Sequence, residues 1–204
     1  MLDRDNGIKI ENVSKSYGEK KVLRDLSLFI PHGSVTAIKG SSGCGKTTLL
    51  RLICGLEKAD AGNIIGVSKK DVSALFQEDR LFPWLTALEN VEAVIKDKKK
   101  KPLAAQILSD LGLGDKKDLS AFPSELSGGM MRRVAIARAL AYKSKVLILD
   151  EALRGLDEKN FENAVDVIER YRDERTVISV THVVSRLEEN ADKFINLDKI
   201  SENQ

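Results

Sequence analysis

The residues with the clearest chemical meaning are Gly40-Ser41-Ser42-Gly43-Cys44-Gly45-Lys46-Thr47, which match G-x-x-x-x-G-K-[ST] in full. Glycines in such a run let the backbone turn so that successive N–H groups converge on phosphate oxygens. A helix starting there adds the positive end of its dipole. Lys46 is then suited to bridging β- and γ-phosphates, and the Thr47 hydroxyl to ligating Mg2+. A second constellation, Val146-Leu147-Ile148-Leu149-Asp150-Glu151, is an apolar run that delivers two carboxylates at its end. In open α/β sheets ligands bind at that end of the strands. Asp150 suits the Mg2+ shell, and Glu151 suits orienting and deprotonating a water. Ser127-Gly128-Gly129 at a helix start makes a further anion-binding nest. Together these residues predict a site for a nucleotide and Mg2+ with a carboxylate placed to activate water.

Those groups need strand ends and helix starts to hold them, and the chain supplies both. Short β-rich runs alternate with helical patterns, which predicts an α/β fold with a mostly parallel sheet. Ile8, Ile10 and Val13 read as one half-buried strand and Leu26 to Ile30 as a second. Val35 to Ile38 ends at the glycine-rich loop, and Thr48 to Ile53 continues as helix. Val72 to Phe76, Val146 to Leu149, Val177 to Val180 and Phe194 to Leu197 complete the strands. Leu147 and its neighbours are apolar at every position, as in a strand covered on both faces. From Trp84 to Leu126 a helical pattern takes over, with Thr86 to Ile95 and Leu103 to Leu111 as its helices. The run Lys96-Asp97-Lys98-Lys99-Lys100-Lys101-Pro102 between them reads as a solvated loop that stops a helix.

Composition sets the outer bounds. The 204 residues allow one ordinary domain or one core with a compact insertion, and 42% hydrophobic with 31% charged residues is a soluble globular balance. A net charge of +2 argues against a dedicated nucleic-acid binder. No run approaches the roughly 18 apolar residues of a spanning helix. The opening MLDRDNGIKIENV carries acidic residues and no apolar core, so no signal peptide is expected. Two cysteines, Cys44 and Cys54, without a His cluster argue against a disulfide scaffold and a zinc site, and point to a reducing cytoplasm as the simplest compartment.

Phosphate loops serve many unrelated functions, and later residues discriminate among them. Leu126-Ser127-Gly128-Gly129-Met130, followed by Met131-Arg132-Arg133-Val134-Ala135-Ile136-Ala137-Arg138-Ala139-Leu140, resembles the signature motif and helix of ABC-type ATPases. The series Tyr17, Gly40, Gln77, Leu126, Asp150-Glu151, Asp157 and His182 resembles that family's order over nearly the whole chain. The resemblance implies one domain over residues 1–204, with a P-loop NTPase core (1–83 and 127–204), a small antiparallel β part and an inserted helical subdomain (84–126). It implies that Tyr17 stacks on adenine and that Gly40 to Thr48 hold the phosphates. Gln77 reaches Mg2+ or the attacking water, and His182 contacts the γ-phosphate. Ser127, Gly128 and Gly129 of one subunit close over ATP held by another, with Asp157 at the boundary, in a two-fold head-to-tail dimer. Transmembrane permease subunits, a solute-binding protein in the full system and a place on the inner face of the membrane are implied as well. A soluble assembly module or a nucleotide-gated interaction module of the same family is the competing expectation.

The sequence also departs from the family. Met130 stands where Gln is usual, Ala152 where proline is common, and the stretch from Gly62 to Val72 is short, which predicts a trimmed antiparallel part. Phe76-Gln77-Glu78-Asp79-Arg80-Leu81-Phe82-Pro83-Trp84-Leu85-Thr86 resembles importers of the nitrate, sulfonate and taurine type. By that resemblance it lies on the surface that receives the permease. Cys44, at a helix N-terminus, is in a setting that lowers a thiol pKa. Cys54 reads as core and His32 as a turn residue.

Overall fold

The computed structural model describes residues 6–181 and 185–198. They form two compact units, the first comprising residues up to Val72, Ser144–Asp150 and the chain from Glu174, the second Ser73–Lys143 and Glu151–Asp173.

In the first unit, β1 (Gly7–Tyr17) pairs antiparallel with β2 (Lys20–Pro31) on one side and β4 (Ala61–Ile65) on the other. Ile8 and Ile10 point into the core and Lys9 and Glu11 out, as a period of two requires. Val13 breaks that parity and is nevertheless fully buried. The register shifts between Ile10 and Val13, where Asn12 takes a positive φ of 52°, so a bulge returns Val13 to the core face. β4 lies in the stretch expected to be short, and its residues are mostly exposed.

Four parallel strands build the other half of this unit, in the order β6-β7-β3-β8: β6 (Val146–Asp150), β7 (Thr176–Val180), β3 (Val35–Lys39) and β8 (Lys193–Asn196). Every residue of β6 and β7 is buried, the signature of central strands covered on both faces. Registers such as Leu147↔Val177 and Val35↔Val177 align their C-terminal ends, so Ile38 and Asp150 both stand level with Val180. β3 runs through the glycine-rich turn into α1 (Lys46–Ile53), which buries Leu49, Leu50, Leu52 and Ile53. α7 (Arg186–Glu189) opens on a Ser185 cap.

The second unit starts along β5 (Val72–Leu75) and is otherwise helical: α2 (Ala87–Glu92), α3 (Pro102–Asp110), α4 (Lys116–Ser120), α5 (Gly128–Ala141) and α6 (Glu158–Tyr171). Thr86 and Glu89 form a reciprocal capping box that sets the start of α2. Pro102 takes the first turn of α3, where its missing N–H costs nothing. The lysine run makes a short, exposed 3-10 turn over Lys98–Lys100. α5 buries residues around most of its circumference, including Val134, Ala135, Ile136, Ala137 and the charged Arg132. α6 instead buries one stripe of Ala164, Val165, Val167 and Ile168, and Asp110 at the end of α3 accepts from Arg170 and Tyr171.

Candidate active site

In the first unit the glycine-rich turn sits between β3 and α1, at the C-terminal edge of the parallel sheet. Gly45 has φ of 102°, and a Cβ there would lie 2.7 Å from Leu23 Cδ2. Both conformation and space demand glycine. Lys46 is 9% exposed and folds back over the loop: its Nζ donates to the carbonyls of Gly40 at 2.8 Å and Ser41 at 2.7 Å. The Thr47 hydroxyl donates to Asp150 Oδ2 at 2.9 Å, joining the loop to the end of β6 across 103 positions of sequence. These are hard oxygen donors, a hydroxyl beside a carboxylate that is 4% exposed. Such a pair fits Mg2+, which takes one or two protein oxygens and fills the rest of its shell with water and phosphate. Gly40, Ser41, Ser42, Gly43, Cys44, Gly45, Lys46, Thr47 and Thr48 thus occupy one continuous turn and helix start.

Cys44 corrects an expectation. Its thiol is pushed up from the ordinary value, not down, because burial outweighs the pull of the Lys46 ammonium nearby. Cys54 is buried as expected, and desolvation raises its thiol to about 12. His32 lies exposed in the turn after β2.

Two partners in this unit carry no motif. Asp198, beyond β8, accepts from the Ser41 N–H at 2.7 Å and from the Ser41 hydroxyl at 2.8 Å. Those bonds hold its carboxyl below the usual range. Glu57 accepts from the hydroxyl of Tyr17, whose ring is 45% exposed, and also from Arg51 at 3.4 Å. The Lys15 ammonium stands 5.6 Å from the centre of that ring. Nothing local in the sequence joins these pairs. His182 lies outside the described residues. On either side of it, Ser179 and Ser185 both hydrogen-bond the buried carboxylate of Glu188.

In the second unit, Gln77 is exposed at a bend directly after β5. Ser127 caps α5, its hydroxyl accepting from the Met130 N–H at 3.2 Å, and Gly128 and Gly129 form the first turn. Glu151 has a positive φ of 50°, unusual for a residue with a side chain. Its carboxylate accepts from Arg154 Nη1 at 2.9 Å, and its carbonyl accepts from Arg132 Nη2 at 2.6 Å. Asp157 caps α6 by accepting from the Asn160 N–H at 3.0 Å, and bonds to Asn160 hold its carboxyl below the usual range. Phe82 and Trp84 form a tilted ring pair 5.6 Å apart, with Trp84 70% exposed and the Arg138 guanidinium 5.6 Å from the Phe82 ring.

A family model described as ABC transporter matches residues 23–154, a span that takes in the phosphate loop, Gln77, Ser127, Asp150 and Glu151. The chain belongs to the ABC transporter ATPase family. It is 42% identical over 200 residues to the aliphatic sulfonates import ATP-binding protein SsuB of Rhodopseudomonas palustris, covering 94% of this chain and 70% of that protein. The same identity and span relate it to SsuB of Zymomonas mobilis, of which 82% is covered. Among solved structures it resembles the ATP-binding cassette MJ0796 in a dimeric post-hydrolysis state bound to ADP and Pi. That match has 30% identity and a TM-score of 0.81, and covers 93% of each chain. A second dimeric structure of MJ0796 matches with 29% identity and a TM-score of 0.80 over 93% of this chain and 94% of that one. The ABC ATPase is thus an enzyme of the ATP-hydrolysing cassette type.

Proposed function

We propose that this ABC ATPase hydrolyses ATP with Mg2+ in a head-to-tail dimer and so drives import of a small organic anion, an aliphatic sulfonate, through a separate transmembrane permease. The observation that carries the hydrolytic reading is the pairing of Thr47 with Asp150 beside the folded-back Lys46. The names of the relatives, all import ATP-binding proteins, supply the direction and the cargo class and weigh against a soluble assembly module.

Each residue's task follows from its chemistry. The backbone N–H groups of Gly43 to Thr48 bind phosphate oxygens at the start of α1, and Tyr17 receives the adenine ring. The Lys46 ammonium exchanges its two carbonyl partners for phosphate oxygens and stabilises charge on the transferring group. Thr47 and Asp150, with Gln77 as a further oxygen donor, would hold Mg2+, which would supply neutralisation of phosphate charge. Glu151 takes a proton from water as the water oxygen bonds to the γ-phosphorus and the bridging oxygen leaves with ADP. His182 contacts the γ-phosphate. A second copy supplies Ser127, Gly128 and Gly129 over the nucleotide, with Asp157 at the boundary.

One ATPase domain over 1–204, with the subdomain 84–126 inserted in its core, is part of this reading. So is a cytoplasmic position, peripheral on the membrane, with the exposed Phe82–Trp84 pair as the permease-facing patch and a solute-binding protein completing the system. No helix among the described residues is long and apolar enough to cross a membrane itself.

The test is steady-state hydrolysis by the full chain and by Glu151→Gln, with light scattering of both in Mg-ATP. Turnover in the parent, and a stalled, ATP-bound dimer in the variant, is the expected result. Unchanged turnover in Glu151→Gln refutes the assignment of the base. For cargo, the chain is reconstituted with its permease and solute-binding protein, and ATP turnover is compared with alkanesulfonate and with nitrate outside. Stimulation by nitrate alone refutes the sulfonate reading.

A further inference from the structure

Arg132 is 4% exposed, on a helix whose other buried residues are mostly apolar. A buried guanidinium needs partners for its fixed fork of donors, and here three chain segments supply them. Arg132 Nη1 donates to the Phe76 carbonyl at 3.0 Å and to Asp79 Oδ1 at 2.7 Å. Its Nη2 donates to the Glu151 carbonyl at 2.6 Å. Phe76 and Asp79 bracket Gln77, so one side chain grips both sides of the Gln77 loop and the peptide of Glu151. All of these residues belong to the second unit.

We propose that Arg132 is a positioning residue for hydrolysis: its guanidinium fixes the Gln77 loop and the Glu151 peptide in one mutual geometry. The inference rests on the roles given above to Gln77 and Glu151. Arg132 touches neither side chain's reactive end in the described contacts and acts through the backbone. Two observations favour positioning over plain packing. Glu151 holds φ at +50°, a conformation that persists when its surroundings over-determine it, and the shortest Arg132 bond is to that residue's own carbonyl. The loop on the other side already has a separate anchor, since Arg138 donates to the carbonyls of Asp79 at 2.8 Å and Arg80 at 3.0 Å. The distinctive property of Arg132 is therefore the bridge to Glu151. Lysine cannot reproduce it, because one ammonium does not span three acceptors set by a planar fork.

The experiment compares the full chain with Arg132→Lys, Arg132→Gln, Arg138→Gln and Asp79→Asn, reading kcat, KM for ATP, binding of a fluorescent ATP analogue and thermal midpoint. Displacing a catalytic group by about 1 Å costs on the order of a hundredfold, so kcat in both Arg132 variants should fall roughly 10–100-fold. KM and analogue affinity should stay within about twofold, because the phosphate loop is untouched. Arg138→Gln should lose much less. In a Glu151→Gln background, Arg132→Lys should cost much less than it does in the parent, since the bridge to residue 151 no longer holds a base in place. Asp79→Asn keeps both carbonyl bonds and an acceptor at Oδ1 but removes the charge; a smaller kcat drop at unchanged KM is expected, and this variant decides the matter if the Arg132 variants do not fold. Unchanged kcat, losses that multiply in the Glu151→Gln background, equal loss in Arg138→Gln, or KM and kcat failing together each overturns the proposal. Undiminished turnover in Glu151→Gln alone refutes instead the underlying assignment of the base.

Discussion

Replacing Thr47 by valine removes one hydroxyl at nearly constant shape and volume. The bond lost is the 2.9 Å donation to Asp150, whose carboxylate is buried at the end of a central strand. A net hydrogen bond is worth about 0.5–1.5 kcal/mol, and the exposed Thr47 end keeps it within that range although the acceptor is charged. For a chain of this size each kcal/mol moves the melting midpoint by about 2–4 °C, so Thr47→Val should melt roughly 1–6 °C lower without nucleotide. The same hydroxyl is assigned to Mg2+. Hydrolysis by Thr47→Val should therefore collapse at the Mg2+ concentration that saturates the parent and recover partly as Mg2+ is raised. Thr47→Ser keeps the oxygen and should restore both properties. Differential scanning fluorimetry in EDTA reads the first effect, and a phosphate-release assay titrated with Mg2+ reads the second. A Thr47→Val chain with parental melting and parental Mg2+ dependence would sink the reasoning that this hydroxyl joins loop, carboxylate and metal.

Cys44 should alkylate slowly at neutral pH. Burial raises its pKa, so the reactive thiolate is scarcer than in a free cysteine, and the labelling rate should rise with pH over a higher range than for a free cysteine. Iodoacetamide labelling read by intact mass, with Cys44→Ser to identify the site and a free-cysteine peptide alongside, tests this, and a half-rise at or below the pH of the peptide's contradicts it; Mg-ATP should protect the thiol. The Arg154 side chain is 65% exposed and pairs with the Glu151 carboxylate. Such a pair is worth about 0.2–1 kcal/mol, so Arg154→Gln should remove this one restraint on the Glu151 carboxylate and raise turnover by about 1.4–5-fold, with the difference fading in high salt. A tenfold change in either direction would show that Arg154 does more than pair.

The strands that carry the site were legible because burial on both faces leaves an unbroken apolar run: β3, β6 and β7 each appear within a residue of their expected bounds. β4 was legible only as a short antiparallel stretch, since four of its five residues are exposed and show no alternation. Val13 reads in sequence as a continuation of the Ile8–Ile10 pattern, yet it sits off parity and needs the bulge at Asn12, which depends on a partner strand. The phosphate loop and the Asp150-Glu151 pair are local patterns and needed no fold to be seen. Asp198 on Ser41, Glu57 on Tyr17 and Arg132 on Phe76, Asp79 and Glu151 join residues far apart in sequence, and each polar partner reads locally as an ordinary solvated charge. α5 hides its buried arginine for a further reason. A helix covered on most of its circumference has no polar stripe against which Arg132 would stand out.

The candidate groups share one energetic feature that decides how their mutants should be read. Lys46 bonds the Gly40 and Ser41 carbonyls, Thr47 bonds Asp150, Ser127 caps Met130, and Glu151 pairs with Arg154. Each of these groups is already engaged within the chain before nucleotide arrives. Burying the Lys46 ammonium without partners would cost several kcal/mol, so its carbonyl bonds are what let it wait at the loop's centre. Binding free energy is then a difference between two satisfied arrangements. A mutation such as Lys46→Met removes both at once. Its effect on loop stability will be small beside its effect on hydrolysis, because water can take over the carbonyls of the solvent-facing loop while the phosphate contact strengthens in the transition state.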